Sequence, residues 1–111
     1  TQIEQAFLNL TLNAVQAMPH GGRLVVRTRT VRVPRRSGPL RWVAVEFADT
    51  GEGMTAEQQR RAFTSLLATT KREGTGLGLA IVRRVVETHR GRLKVRSRVG
   101  AGTTFSIWLP V

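Results

Sequence analysis

The sequence predicts an α+β domain: a two-layer sandwich with helices packed on one face of a mixed, largely antiparallel sheet. Three observations predict it. Two stretches carry apolar residues at helical spacing, two pairs of stretches alternate apolar and basic residues as strands do, and the strand pairs are interleaved with the helices. The 111 residues are 41% apolar, which suits one small domain spanning 1–111.

The elements follow in order. From Gln2 to Met18, apolar Ile3, Phe7, Leu10, Ala14 and Ala17 recur at intervals of three and four, as one buried helix face requires. Leu8, Leu12 and Val15 widen the apolar surface, leaving a polar strip of Gln5, Asn9, Asn13 and Gln16. Pro19, Gly21 and Gly22 stop this helix. Arg23–Val33 alternates apolar residues with Arg, a basic turn follows, and Leu40–Ala48 is a second strand, so the pair reads as a long hairpin. Thr55 is an N-cap for a short helix reaching about Leu66, and 68–76 is a polar connection predicted to be mobile. Helical spacing returns from Leu77 to His89, with Arg83 and Glu87 four apart. Leu93, Val95 and Ser97 then alternate with bases, and Phe105, Ile107 and Leu109 mark a last strand.

Eighteen Lys and Arg face seven Asp and Glu, giving a formal charge of +11. Such a field attracts polyanions of any kind, including nucleic acid, anionic membranes and nucleoside triphosphates, without choosing among them. Arg23, Arg27, Arg29, Arg92, Arg96 and Arg98 line the strands, yet the few aromatics read as core positions with no stacking platform, so nucleic acid is not the expected partner. The absence of Cys excludes disulfides, zinc-thiolate sites and thiol nucleophiles. No apolar run approaches a membrane span, and the start at Thr1, directly into helical periodicity, suggests an excised or truncated domain.

Four features carry chemistry. Asn9 and Asn13 on an apolar helix cap backbone, contact a ligand or face solvent; in the ligand reading the Asn13 oxygen is offered to Mg²⁺, which takes hard oxygen donors and keeps phosphate and water in its shell. Asp49, Gly51 and Gly53 form an Asx turn, or else the carboxylate accepts from an exocyclic amine while the glycines admit a flat ring; an ionised carboxylate cannot donate, so it favours adenine over guanine. Gly74, Thr75, Gly76, Leu77, Gly78 and Leu79 open a helix, where free N–H groups and the positive helix end converge on an anion. Lys71, just upstream, is either solvated or a mobile charge for a β or γ phosphate. Gly100–Phe105 is a hairpin turn with no further role, or else one from which Thr103 reaches a base through its hydroxyl or a water, with Phe105 in the core.

In this order, these features resemble the catalytic and ATP-binding domain of two-component sensor histidine kinases, in the superfamily shared with DNA gyrase B, Hsp90 and MutL. Gln5-Ala6-Phe7-Leu8-Asn9-Leu10-Thr11-Leu12-Asn13-Ala14 is similar to the family's asparagine helix. Asp49, Gly51 and Gly53 match its first glycine motif, Gly74, Gly76 and Gly78 its second, and Gly102–Pro110 its last strand. The resemblance implies a Bergerat-type ATP-binding fold lacking its first strand, with Asn13 as the Mg²⁺ ligand, Asn9 beside it and Asp49 reading the adenine amine. It also implies ATP and Mg²⁺ as cofactors and γ-phosphoryl transfer to a histidine on a separate dimerisation and phosphotransfer domain. A response regulator lies downstream, the full kinase is a homodimer, the isolated domain a monomer, and the location cytoplasmic. Two departures stand out. The lid segment Phe63–Lys71 lacks the family's Pro and second aromatic, and neutral Asn9 stands where hydrolysing branches carry a Glu base, so the isolated domain is expected to bind ATP with hardly any turnover. Neither His20 nor His89 fits the phosphoacceptor.

Overall fold

The computed structural model describes residues 1–38, 40–64 and 75–111, and for 62–64 and 75–78 the backbone alone. Its elements run α1 (Gln2–Gln16), β1 (Leu24–Val33), β2 (Leu40–Asp49), α2 (Ala56–Thr64), α3 (Thr75–Thr88), β3 (Arg92–Arg98) and β4 (Gly102–Pro110). α1 begins with a capping box, in which the Thr1 hydroxyl accepts from the Glu4 N–H and the Glu4 side chain reaches back to the Thr1 backbone. Thr55 caps α2 in the same reciprocal way: its hydroxyl accepts from the Gln58 N–H at 3.1 Å, and its own N–H donates to the Gln58 side chain at 2.8 Å.

The strands form one sheet in the order β1-β2-β4-β3, and among the described residues every pairing is antiparallel. The hairpin expected of the first two strands is present, with Leu24 opposite Asp49 and Val33 opposite Leu40. Because side chains alternate across a sheet, these registers sort the strands into two faces. One face carries Val45 and Phe47 of β2, Phe105 and Ile107 of β4, and Leu93 and Val95 of β3. α1 and α3 cover it with Ala6, Leu10, Leu79, Val82, Val85 and Val86, forming a single buried cluster. Each large apolar side chain fully withdrawn from water here contributes about 1.5–3 kcal/mol. Phe7 packs its ring against Phe47 at 5.5 Å between centroids.

The other face has no helix over it among the described residues. It carries Ala44, Glu46 and Trp42 of β2 opposite Ser106, Trp108 and Pro110 of β4, flanked by bases from β1 and β3. Both tryptophans of the chain lie here, half-buried. That corrects the expectation that the aromatics are all core positions: Phe47 and Phe105 are, whereas the period-two alternation puts Trp42 and Trp108 on the outside. The three extra apolar residues of α1, Leu8, Leu12 and Val15, are likewise about half exposed, on the side of the helix turned from the core.

Candidate functional site

The candidate site is assembled at one end of the helix-covered face, where Leu24, Asp49, Thr103 and Ser97 form a row across four strands. Asp49 ends β2 and is buried, at 8% exposure. Its Oδ1 accepts from the Gly51 N–H at 2.8 Å, an Asx turn, and also from the Thr103 N–H on β4 at 3.2 Å. Oδ2 has no protein donor among the described residues. The two readings of Asp49 are therefore compatible: one oxygen builds the turn and the other is left over.

The glycines around it are demanded by main-chain packing. A Cβ on Gly51 would lie 2.4 Å from the Ala17 carbonyl oxygen, and the same carbonyl accepts from the Glu52 N–H at 3.0 Å. The C-terminal end of α1, one turn beyond Asn13, is thus pressed against the turn after Asp49. Gly53 has a positive φ of 74°, and a Cβ there would fall 2.0 Å from the Arg98 carbonyl oxygen of β3. Gly102, at the start of β4, closes on the Asp49 carbonyl from the other side.

Thr103 is buried, and its hydroxyl lies 2.7 Å from that of Ser97. Ser97 in turn donates to the Gly102 carbonyl and accepts from the Met54 N–H at 2.8 Å. With the Ser97 proton committed to Gly102, Thr103 donates to Ser97, which leaves lone pairs on the Thr103 oxygen for an incoming donor. Ser97 and Thr50 are the members sequence reasoning missed. Thr50 fixes the other flank, its Oγ1 accepting from the Arg23 N–H at 3.0 Å. Ser97 had a signal, being the one polar residue on the inward register of an otherwise apolar strand face.

On α1, the Asn9 Oδ1 accepts from Gln5 at 3.3 Å, while its Nδ2 is buried with no partner among the described residues. Asn13 is half-exposed, and its side-chain amide makes no hydrogen bond among the described residues. A free carboxamide oxygen fits a Mg²⁺ ion held mainly by phosphate and water. No group of three His, Cys, Asp or Glu among the described residues could hold a metal alone.

α3 begins at Thr75, two residues before the start predicted from apolar spacing, so Gly76 and Gly78 lie within its first turn. The N–H groups of that turn have no acceptor inside the helix. α3 spans about 21 Å at 1.5 Å per residue, and β3 about 23 Å. The chain doubles back between them within 89–91, which carries the α3 start toward the Arg98–Thr103 end of the sheet. Gly74 and Lys71, and with them most of the lid segment, lie outside the described residues. His89 ends the helix layer, its Nδ1 2.8 Å from the Val85 carbonyl, away from Asp49 along the chain of α3.

Comparison with known proteins agrees with this fold. Residues 1–111 match the model of the histidine kinase-, DNA gyrase B- and HSP90-like ATPases. The sensor histidine kinase ZraS of Escherichia coli (strain K12) is 43% identical over 110 residues, covering 99% of this chain and 22% of that protein. The solved catalytic domain of histidine kinase ThkA superposes with a TM-score of 0.79 at 30% identity, covering 99% of this chain and 66% of that one. Full-length ShkA, solved in complex with AMPPNP, gives a TM-score of 0.70 at 28% identity over 98% of this chain and 21% of its own. The chain belongs to the histidine kinase-, DNA gyrase B- and HSP90-like ATPase family. Within it, this is a catalytic and ATP-binding domain of the sensor histidine kinase type. It spans about a fifth of the length of ZraS.

Proposed function

We propose that this domain binds Mg-ATP through Asp49, Thr103, Asn13 and the start of α3. With a separate dimerisation and phosphotransfer domain, it then delivers the γ-phosphoryl group to a histidine in two-component signalling. The observation that carries the reading is the Asp49 carboxylate, buried and fixed through Oδ1 by two backbone N–H groups, with Oδ2 unclaimed. An exocyclic adenine amine is the donor it suits, and guanine presents a carbonyl at that edge instead. AMPPNP bound to ShkA supports an adenine nucleotide as ligand.

In this proposal Thr103 offers its oxygen to the base. The N–H groups of Thr75, Gly76, Leu77 and Gly78 face the phosphates, where the helix dipole favours negative charge. Asn9 lines the floor beside Asn13, and Gly51 and Gly53 hold the turn close under the base. When bound, Mg²⁺ neutralises phosphate charge, and Asn13 is the residue that would hold it. Lys71 supplies a further positive charge, and Gly74 precedes the helix start. The chain positions and stabilises; the nucleophilic histidine comes from the phosphotransfer domain. A response regulator receives the phosphoryl group downstream, the full kinase works as a homodimer, and the domain acts in the cytoplasm. Among the described residues no helix is long and apolar enough to cross a membrane.

The structural part played by Asp49 selects the variant for the test. Asp49→Ala would remove the Asx turn together with the ligand contact, whereas Asp49→Asn keeps an oxygen for Gly51 and Thr103 and turns an N–H₂ outward. Calorimetric titration with ATP and GTP, with and without Mg²⁺, should then show ATP affinity falling about a hundredfold with the fold intact, because a donor meets a donor. Asn13→Ala should remove chiefly the Mg²⁺ benefit. Equal ATP affinity in the parent and Asp49→Asn would sink the adenine assignment. A binding module without transferase activity is separated by supplying the phosphotransfer domain and following transfer of labelled phosphate.

A further inference from the structure

The uncovered sheet face is chemically built, and the nucleotide site does not use it. Arg27 and Arg29 line it on β1, and Arg92, Lys94, Arg96 and Arg98 on β3. All six are exposed, and none forms an ion pair among the described residues. Between them run two adjoining hollows that share Lys94 and Trp108. One, of about 340 Å³, is walled by Val33, Leu40 and Trp42; the other, of about 260 Å³, by Arg29, Glu46, Thr104 and Ser106.

Trp108 is held at the junction. Arg29 reaches across the small side chain of Ala44, its cross-strand neighbour, to place its guanidinium carbon 5.3 Å from the indole centroid, and the Lys94 ammonium lies 5.2 Å from it. The indole Nε1 is buried and has no acceptor among the described residues. An N–H in that state is costly.

From this arrangement we infer that the outer face docks an acidic polypeptide segment bearing one large apolar side chain. The apolar side chain enters the Val33–Leu40–Trp42 hollow, and carboxylates settle among Arg29, Arg92, Lys94 and Arg96. Three observations favour polypeptide over single-stranded nucleic acid. The Trp108 ring is taken up by cations rather than free to stack a base. The larger hollow sets Val33, Leu40 and the two tryptophans beside the cations Arg35, Arg92 and Lys94, which suits an apolar side chain with a carboxylate next to it. Glu46, in the middle of the face, accepts from a peptide N–H, whereas a phosphodiester backbone offers it no donor.

The chain provides its own reporter, since Trp42 and Trp108 are its only tryptophans and both belong to this face. Titration of the whole chain with a short Asp/Glu peptide carrying one central Phe should change tryptophan emission saturably. Replacing that Phe by Ala should weaken binding about tenfold, as loss of an apolar anchor does. Lys94→Glu should weaken it about tenfold as well, and Arg84→Glu, the same charge change on the helix layer, should leave it within about twofold. Thermal melts of both variants establish that they are folded. The inference is overturned if emission does not change, if the Phe and Ala peptides bind alike, or if the two charge reversals weaken binding equally. It is also overturned if oligo-dT of matched charge binds more tightly than the Phe peptide with the same quenching.

Discussion

The two faces of this sheet are made by the same four strands and differ in almost every physical respect. On the covered face, alternate residues such as Val45, Phe47, Phe105 and Ile107 are excluded from water and hold the fold. On the open face, their immediate neighbours Glu46, Ser106 and Lys94 remain in contact with solvent, around two half-buried tryptophans. One residue of shift exchanges the two roles, so the face pattern is also the register signal. The comparison teaches that the buried core and the candidate site share one face, while six of the eighteen bases line the other.

Substitutions can break or sharpen that distinction. The largest effect is expected from Gly102→Val. Its positive φ of 95° and the 2.1 Å approach of a Cβ to the Asp49 carbonyl leave no room, so loss of about 3–5 kcal/mol or of folding altogether should appear in denaturant titration. Ile107→Ala, at 0% exposure, should cost about 3–4 kcal/mol in the same measurement, whereas Ser106→Ala, next to it on the open face, should stay within about 0.5 kcal/mol. Equal costs for those two would dissolve the contrast. Ser97→Ala should cost about 1–2 kcal/mol, because the Met54 N–H and the Thr103 hydroxyl both lose their partner, and it should also weaken ATP binding severalfold in calorimetry. Arg96→Gln should leave stability within about 0.5 kcal/mol, weaken acidic-peptide binding by about two- to threefold at low salt and reduce its salt dependence.

Much of the layering was legible because burial writes a period into the sequence. The spacing of Ile3, Phe7, Leu10 and Ala14 gave α1, and the alternation of Leu93, Val95 and Ser97 with bases gave β3. The candidate site could be picked out where a residue type is rare on its element, as with Asn13 on an apolar helix and Asp49 at a strand end. What escaped was long-range packing. The contacts of Gly51 with Ala17 and of Gly53 with Arg98 depend on residues 34 and 45 positions away, and no local pattern announces them. Trp42 and Trp108 were misread because apolar bulk argues for burial, whereas strand parity decides which side the bulk occupies.

The anchoring of Asp49 has an evolutionary consequence. Its position is fixed by the N–H groups of Gly51 and Thr103 and by the backbone approach at Gly102. Main-chain atoms are the same in every residue except proline. Side chains around the carboxylate are therefore free to drift while the carboxylate itself stays in place, provided the glycines persist. Selection acts there on the absence of a methyl group.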